Sequence, residues 1–557
     1  MGNGTSTKKF GIDLGTTYSS IGWFDLDTRQ IQIGELDSAQ GTKLLPSAVF
    51  VERADNIVVG TAAVHAGVDR PDRLFRWFKR DIGIEGLSPR IIDGKPWAPV
   101  ECSTEILKTL KREAETYFVT EVKDVVITFP AWFTPQQKDL TRDAAIQAGL
   151  NVIRMIEEPQ AAALAYVLEE ILRQSAGPAG DLGSLVPQIV EKLAGGKGAV
   201  LVYDLGGGTF DVAMVQAWGT PQPDGNTELH IKTLYNEGDI ALGGKDWDVA
   251  IRQIVSDLDQ QQNNHDPLSD PQSGMLDDAC EQAKQDLSRR LSLKVLCPQH
   301  HQVELTRQQV EEATESLLER TRQITETVLG QAEQEHGIRR DQVIVLLSGG
   351  MTRWPAVKDM LTKLMGRPPL QHRNPDFLVT HGASYLAYLT LTTEERAARG
   401  SASTAAGAAA GGGKGMILPV GSGAAGITLT GIEAEYPAIG IRVVDTMDGK
   451  KQYVCKVMPS NSKPGDVARQ TFATVYDNQS AVDITVYFLK EREGYKDDET
   501  DFSAWKEYKS YQMSGLPPRP KGEKVQVELR YQEGGVIDGE AWDDFGNKVA
   551  ITGLTSR

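Results

Sequence analysis

One short device occurs twice in this chain. Phe10-Gly11-Ile12-Asp13-Leu14-Gly15-Thr16-Thr17-Tyr18 returns as Val202-Tyr203-Asp204-Leu205-Gly206-Gly207-Gly208-Thr209-Phe210-Asp211. Each copy is an apolar strand with an Asp at its end, a glycine turn, a threonine and a return to apolar residues. Turn chemistry alone selects Asp, Gly and Thr, so a single copy reads as an ordinary hairpin. Two copies in the same order point to a duplicated strand–turn–strand unit. Glycine lets the backbone approach an anion closely, and turn N–H groups with threonine hydroxyls can point at phosphate oxygens. Two such hairpins facing each other would clamp a polyphosphate. Their aspartates would sit beside it, able to hold the water shell of Mg²⁺.

A third glycine turn, Ser348-Gly349-Gly350-Met351-Thr352-Arg353-Trp354-Pro355, follows the apolar run Val343–Leu347 and enters a helix. A helix start behind paired glycines suits a phosphate or nucleoside, although strand–Gly–helix turns are common in α/β folds. Strands are also expected at Val125–Phe129 and Ala199–Tyr203. Helices are expected at Thr104–Phe118, Pro135–Ala148, Pro159–Leu172, Gly274–Leu287 and Arg307–Leu329. This alternation marks an α/β domain. Ala397–Gly426 is nearly all Ala, Gly and Ser, with little to bury, and reads as a flexible linker. Beyond it the pattern turns to period two. Val482, Ile484, Val486 and Phe488 alternate with Asp483, Thr485 and Tyr487, and Val525, Val527, Leu529 and Tyr531 with Gln526, Glu528 and Arg530. Both predict half-buried antiparallel strands, so the C-terminal part is read as all-β. Two motifs are decoys. Gly421–Gly426 spells GxGxxG without a βαβ unit around it, and Gly413-Lys414 lacks the other positions of a phosphate loop.

The chain has 557 residues, enough to bury large cores without disulfides or metal staples. Its net charge of −17 argues against broad contact with nucleic acid or anionic membrane. Cys102, Cys280, Cys297 and Cys455 form no CxxC pair or framework, which suggests a reducing, cytoplasmic setting. No apolar run approaches a membrane span, and the polar start lacks a secretory signal. Gly2 followed by Ser6 fits a loose myristoylation pattern, but a plain polar N-terminus is the favoured reading.

Asp-Leu-Gly-Thr-Thr and Asp-Leu-Gly-Gly-Gly-Thr-Phe-Asp occur with Thr128-Phe129-Pro130-Ala131-Trp132-Phe133, Glu158-Pro159 and the Ser348–Pro355 turn. In this combination the chain resembles the seventy-kilodalton heat-shock (DnaK-type) chaperone family. Tyr476–Val482 and Ser514–Gly522 resemble that family's peptide-binding β-sandwich. The resemblance implies an α/β actin-like (ribonuclease H-like, duplicated) ATPase domain over residues 8–392. It further implies a linker over 393–426 and an all-β sandwich over 427–557. The expected activity is ATP hydrolysis coupled to binding of unfolded or extended client polypeptides, with ATP/ADP and Mg²⁺, and with K⁺ nearby. A J-domain co-chaperone and a nucleotide exchange factor are implied partners; nucleic acid and membrane are not.

The resemblance also implies roles for residues. Asp13 and Asp204 would hold Mg²⁺ through water, with Asp211 near the metal and potassium sites. Gly15, Thr16, Thr17 and Tyr18 would cradle the outer phosphates, opposed by Gly206, Gly207, Gly208 and Thr209, with Gly243 and Gly244 adjoining. Lys79 matches the catalytic lysine, whose ammonium stabilises developing charge, and Glu158 the carboxylate that orients water. Glu281, Lys284 and Ser288 match the adenosine-binding helix, completed by Gly349, Gly350, Met351, Arg353 and Asp376. Val444, Phe472, Val475, Gln479, Val482 and Ile484 match positions lining the peptide cleft. Pro130 and Lys138 match positions that couple the domains.

Several positions depart from the family pattern. Gln285 replaces an arginine that packs on the adenine, and Met351 a serine, so weaker nucleotide binding and faster exchange are expected. Lys138 replaces an arginine and Gln160 a threonine, and the usual short acidic linker is replaced, with only Met416–Val420 available to dock. Weakened coupling is therefore expected. The insertion from Arg173 to Gly198 has no counterpart, and the chain stops at Arg557, where a helical lid would begin. Two rival readings are a nucleotide-gated scaffold with negligible turnover and a small-molecule kinase of the same fold superfamily.

Overall fold

Both hairpins form, and each lies at the centre of its own sheet. The computed structural model describes residues 8–37, 41–84, 86–174, 199–221, 227–263, 268–298, 301–390, 418–419, 426–433, 439–444, 452–459, 462, 466–489, 505–531 and 536–555. Most of the Ala/Gly-rich stretch and of the insertion lies outside these residues. Two compact units are present: residues 1–132 with 143–433, and residues 133–142 with 434–557.

In the first unit, strand Phe10–Asp13 pairs antiparallel with Tyr18–Asp25, which pairs antiparallel with Gln30–Ile33. On its other side Phe10–Asp13 runs parallel to Asp124–Phe129, which runs parallel to Asn151–Glu157. The second hairpin repeats this order. Ala199–Leu205 pairs antiparallel with Phe210–Pro221, then Thr227–Asp239, and runs parallel to Ile344–Ser348, then Leu370–Gln371. The repeat seen in the sequence is thus a repeat of whole sheets. Val125, Val126, Ile127, Leu201 and Val202 are fully buried, as parallel strands covered on both faces require.

Helices Glu158–Gln174 and Leu378–Leu389 pack in one core with strands of both sheets. Small residues set the spacing. A Cβ added at Gly382 would lie 1.8 Å from Ala161 O, and one at Gly11 would lie 2.1 Å from Ser384 N. Backbone therefore packs on backbone at both places. Helices Gly244–Asn263 and Asp270–Leu287 and the hairpin Ser292–Leu296/Gln302–Thr306 bury Trp247, Cys280 and Val303 in a second core. A small sheet centred on Ala48–Arg53 carries strand Leu74–Arg76 at one edge.

Some expectations change. Arg307–Leu329 is not one helix but two, Arg307–Ala313 and Glu315–His336. Thr314 breaks them, with φ −109° and ψ 10° and its hydroxyl donating to Val310 O. Gly426–Glu433, assigned from sequence to the linker end and sandwich, pairs parallel with Thr227–Asp239. It extends the second sheet, and Leu418–Pro419 pairs with it antiparallel. The first unit accordingly runs on to Glu433. A strand edge offers unpaired N–H and C=O groups that a further strand can pair with.

The second unit contains two four-stranded antiparallel sheets. One has Gln452–Met458, Ile439–Val444, Ala481–Leu489 and Trp505–Ser514 in spatial order. The other has Val467–Ala473, Lys524–Tyr531, Val536–Asp543 and Lys548–Thr555. Ile439, Ile484, Val486 and Phe488 of one meet Val525, Val527 and Leu529 of the other in a shared core. Ala481–Leu489 is not half-buried as its alternation predicts, because Thr485 and Tyr487 are buried too. Thr485 Oγ1 bonds Ser510 Oγ at 2.9 Å and Arg442 Nη2 at 3.1 Å, so its outer face is covered by polar partners. No helix among the described residues is long and apolar enough to cross a membrane, which says nothing of a β-barrel.

Candidate active site

The two glycine turns meet. A Cβ added at Gly207 would lie 2.1 Å from Thr17 Oγ1, and one at Gly208 would lie 2.2 Å from Thr16 Cγ2. Only glycine lets these turns come this close. Thr17 Oγ1 is buried there without a hydrogen-bond partner among the described residues. Each turn is held from behind. Ser47 Oγ donates to Gly15 O at 2.7 Å and bonds Ser19 Oγ at 2.9 Å, while Ser19 Oγ accepts from Gly15 N. In the second turn Gly206 N donates to Thr209 O, and Gly206 O and Gly207 O accept from Gly244 N and Lys245 N. That last pair of bonds ties the turn to the start of helix Gly244–Asn263. A Cβ at Gly243 would lie 2.5 Å from Gly208 C.

Carboxylates collect behind the turns. Asp204 and Asp211 are directly opposite across their ladder, so both point to one face. Asp13 accepts from Thr128 Oγ1 at 3.1 Å, and Asp204 from Ser348 Oγ at 2.7 Å. Lys79 Nζ lies 2.7 Å from Glu158 Oε1, with side-chain exposures of 4% and 12%. This lysine is buried rather than solvated. Burial first, then the Glu158 charge, raises the Asp204 carboxyl to about 7. The same two causes raise Asp13 and Asp211 well above the usual carboxylate range.

Four carboxylates around one ammonium leave an excess of negative charge in a buried place. Hard oxygen donors of this kind suit a divalent cation, so the donor set fits Mg²⁺.

The third turn lies alongside. Gly349 has φ +81°, and a Cβ there would lie 2.5 Å from Asp204 Oδ1 and from Leu205 O. Arg353 Nη1 donates to Asp376 Oδ1 at 2.7 Å, and a Cβ at Gly350 would lie 3.3 Å from that oxygen. Met351 is buried in the second core, against Gly244. Lys284 Nζ donates to Gly244 O at 3.0 Å and to Asp248 at 2.7 Å, and burial raises Asp248 to about 6. Ser288 Oγ donates back to Lys284 O. Glu281 faces Arg76 Nη2 at 3.0 Å. An open cleft is lined by Thr17, Tyr18, Arg76, Trp77, Glu281 and Gln285. Burial raises the Tyr18 hydroxyl to about 12, and Gln285 hydrogen-bonds it.

Sequence reasoning missed Ser19, Ser47, Arg76 and Asp248, which lie in no motif. Thr128 and Ser348 lie inside the Thr128–Phe133 and Ser348–Pro355 motifs, which carry no signal of their contact with Asp13 and Asp204. In the second unit, Ile484 lies in the sandwich core, with Phe472 and Val482 packed against it. Gln479 Oε1 accepts from Val475 N and Tyr476 N, pinning their loop. Val444 ends its strand opposite Gln452. Pro130 follows strand Asp124–Phe129 in the first unit; Lys138, in the segment belonging to the second, is 2% exposed.

The sequence profile of the Hsp70 protein family matches residues 9–397. The chain belongs to the Hsp70 family. Among its relatives is the chaperone protein DnaK of Thermotoga neapolitana, 31% identical over 559 residues, covering 98% of this chain and 80% of that protein. Chaperone protein DnaK of Thermosipho melanesiensis is 31% identical over 544 residues, covering 96% and 78%. Hsp70 proteins are ATP-dependent chaperones with nucleotide bound alongside Mg²⁺, and membership disfavours the scaffold and kinase readings.

Proposed function

We propose that the first unit is the actin-like, duplicated ribonuclease H-like ATPase domain of this Hsp70 chain, and that the second binds extended apolar segments of client polypeptides. The Ala/Gly-rich stretch at 393–426 is the linker region between them. The observation that carries the reading is the buried Lys79–Glu158 pair set among three carboxylates behind two facing glycine turns.

Gly15, Thr16, Thr17 and Tyr18 bind the outer phosphates from one side, and Gly206, Gly207, Gly208 and Thr209 from the other. Asp13 and Asp204, with Asp211 near, are the residues that would hold Mg²⁺. When bound, the ion neutralises charge on the phosphates. Lys79 places an ammonium where negative charge grows on the γ-phosphoryl group, and Glu158 orients both that ammonium and the attacking water. Glu281, Lys284, Ser288, Gly349, Gly350, Arg353 and Asp376 hold the nucleoside, and Met351 packs beneath it. Phe472, Val475, Gln479 and Val482 lie on the peptide side. Val444 is assigned to the same side, and Ile484 lies in the core against which Phe472 and Val482 pack. A J-domain co-chaperone and a nucleotide exchange factor are the expected partners, in a reducing cytoplasm that suits four unpaired cysteines.

Single-turnover ATP hydrolysis, with and without an unfolded client peptide, tests this. Lys79→Ala is expected to slow phosphate release by about 10²–10³-fold, the scale of losing one preorganised charge stabiliser. Hydrolysis by Lys79→Ala at the wild-type rate would refute the assignment.

A further inference from the structure

Away from the carboxylate cluster, two imidazoles converge on one carboxylate. Glu169, on helix Glu158–Gln174, has Oε2 2.7 Å from His372 Nε2 and Oε1 2.6 Å from His381 Nδ1. Their side-chain exposures are 28%, 15% and 13%. Two histidines and a carboxylate are also the donors of many metal sites. The far side of His372 points to another use. Its Nδ1 accepts the backbone N–H of Asn374 at 3.1 Å. A ring nitrogen that accepts carries no proton, so neutral His372 has its proton on Nε2, aimed at Glu169. Ligation of a metal through Nε2 would need the proton on Nδ1, where Asn374 already presents a donor.

Asn374 in turn shapes the segment after it. Asn374 O accepts from Phe377 N at 3.1 Å and closes the turn Pro375–Phe377. Inside that turn Asp376 binds Arg353, beside Gly350. These residues are assigned above to the nucleoside pocket, and the inference rests on that assignment. We propose that His372 is a positioning residue for the nucleoside pocket, and that adding a proton to its ring loosens the pocket. The neutral ring braces Asn374 and with it the segment that presents Asp376. A second proton can go only to Nδ1, where it meets the Asn374 N–H and breaks the brace.

The charged and titratable groups around the ring are Glu169 on its helix, His381 on helix Leu378–Leu389, and Arg373 on the same loop. Tyr385 also lies near enough to feel the Glu169 charge. Burial opposes charging His372 while the Glu169 contacts favour it, and the balance of its surroundings raises the ring above its ordinary value. An ordinary imidazole changes charge at about pH 6.5, and His372 does so above that.

ADP affinity in the presence of Mg²⁺, measured by calorimetry on the whole protein between about pH 5.5 and 8.5, tests the proposal. The His372-dependent share should weaken binding about three- to tenfold toward acid pH, the worth of one hydrogen bond. His372→Asn keeps an uncharged acceptor near the Nδ1 position. It should bind like wild type at pH 8.5 and lose that share. Glu169→Gln should move the midpoint about one pH unit lower, because a neutral amide no longer favours the charged ring. Asp13 and Asp204 titrate nearby, but they are common to all three proteins, so the difference between profiles isolates His372. Superimposable wild-type and His372→Asn profiles overturn the proposal. So does stoichiometric Zn²⁺ binding to wild type that His372→Asn abolishes. Failure of wild type to bind ADP at any pH would overturn the nucleotide assignment, and this proposal with it.

Discussion

Asp204 shows how a single residue is set by its surroundings. Its burial and the nearby Glu158 raise it from 3.8 to about 7, and Asp13 moves the same way. Between those values the folded state holds protons that the unfolded chain has released. The stability these groups contribute is fully present below about pH 4 and is lost as pH rises to about 7. Without nucleotide and with Mg²⁺ chelated, the melting temperature should therefore fall between pH 5.5 and 8. Mg²⁺ with ADP should remove that fall, and Asp13→Asn should lessen it. A melting temperature that follows pH identically in wild type and Asp13→Asn would show that the cluster does not carry this charge. The sequence placed Asp13, Asp204 and Asp211 at the ends of strands. It could not show that Asp204 and Asp211 face each other across a ladder, since that depends on register.

Helix Leu378–Leu389 is where element packing is most sharply determined. Gly382 sits against Ala161 O and Ser384 against Gly11, so the helix touches a neighbouring helix and a central strand through backbone. Gly-to-Ala inside a helix ordinarily stabilises by about 1 kcal/mol. Here a Cβ would lie 1.8 Å from a carbonyl oxygen. Gly382→Ala should instead destabilise, by about 1–3 kcal/mol or more, as overpacking does. Urea unfolding gives the sign directly, and a stabilised variant would contradict the packing described. Element type was legible along most of the chain, because burial on both faces leaves continuous apolar runs such as Ala199–Tyr203. Ends were less legible. Helix Asp270–Leu287 starts earlier than expected, with Ser269 N donating to Gln272 Oε1 ahead of the apolar pattern. The break at Thr314 rests on one residue's dihedrals, which composition does not reveal.

Across the whole molecule, Gly426–Glu433 occupies the point where the chain leaves the first unit for the second. It lies in the second sheet, next to the strand that follows the second glycine hairpin. A change in that sheet thus has a direct covalent route toward the sandwich. Proline at position 432, opposite Ile231, would disrupt the ladder locally. Ile432→Pro should leave basal ATP hydrolysis within about twofold and abolish most of the acceleration by peptide, the expectation for a ladder broken locally. Unchanged peptide stimulation would place the coupling elsewhere. The sequence by itself determined the duplicated hairpin, the α/β character of the first part, the all-β character of the second, and the family. Each of these follows from local order, in periodicity, glycine turns and an Asp at a strand end. Only the tertiary structure decided that Lys79 is buried against Glu158, that Ser47 braces the first turn, that Glu169 joins two histidines, and that Gly426–Glu433 belongs to the first unit. These depend on residues far apart in the chain meeting across a core, and no local pattern encodes such a meeting.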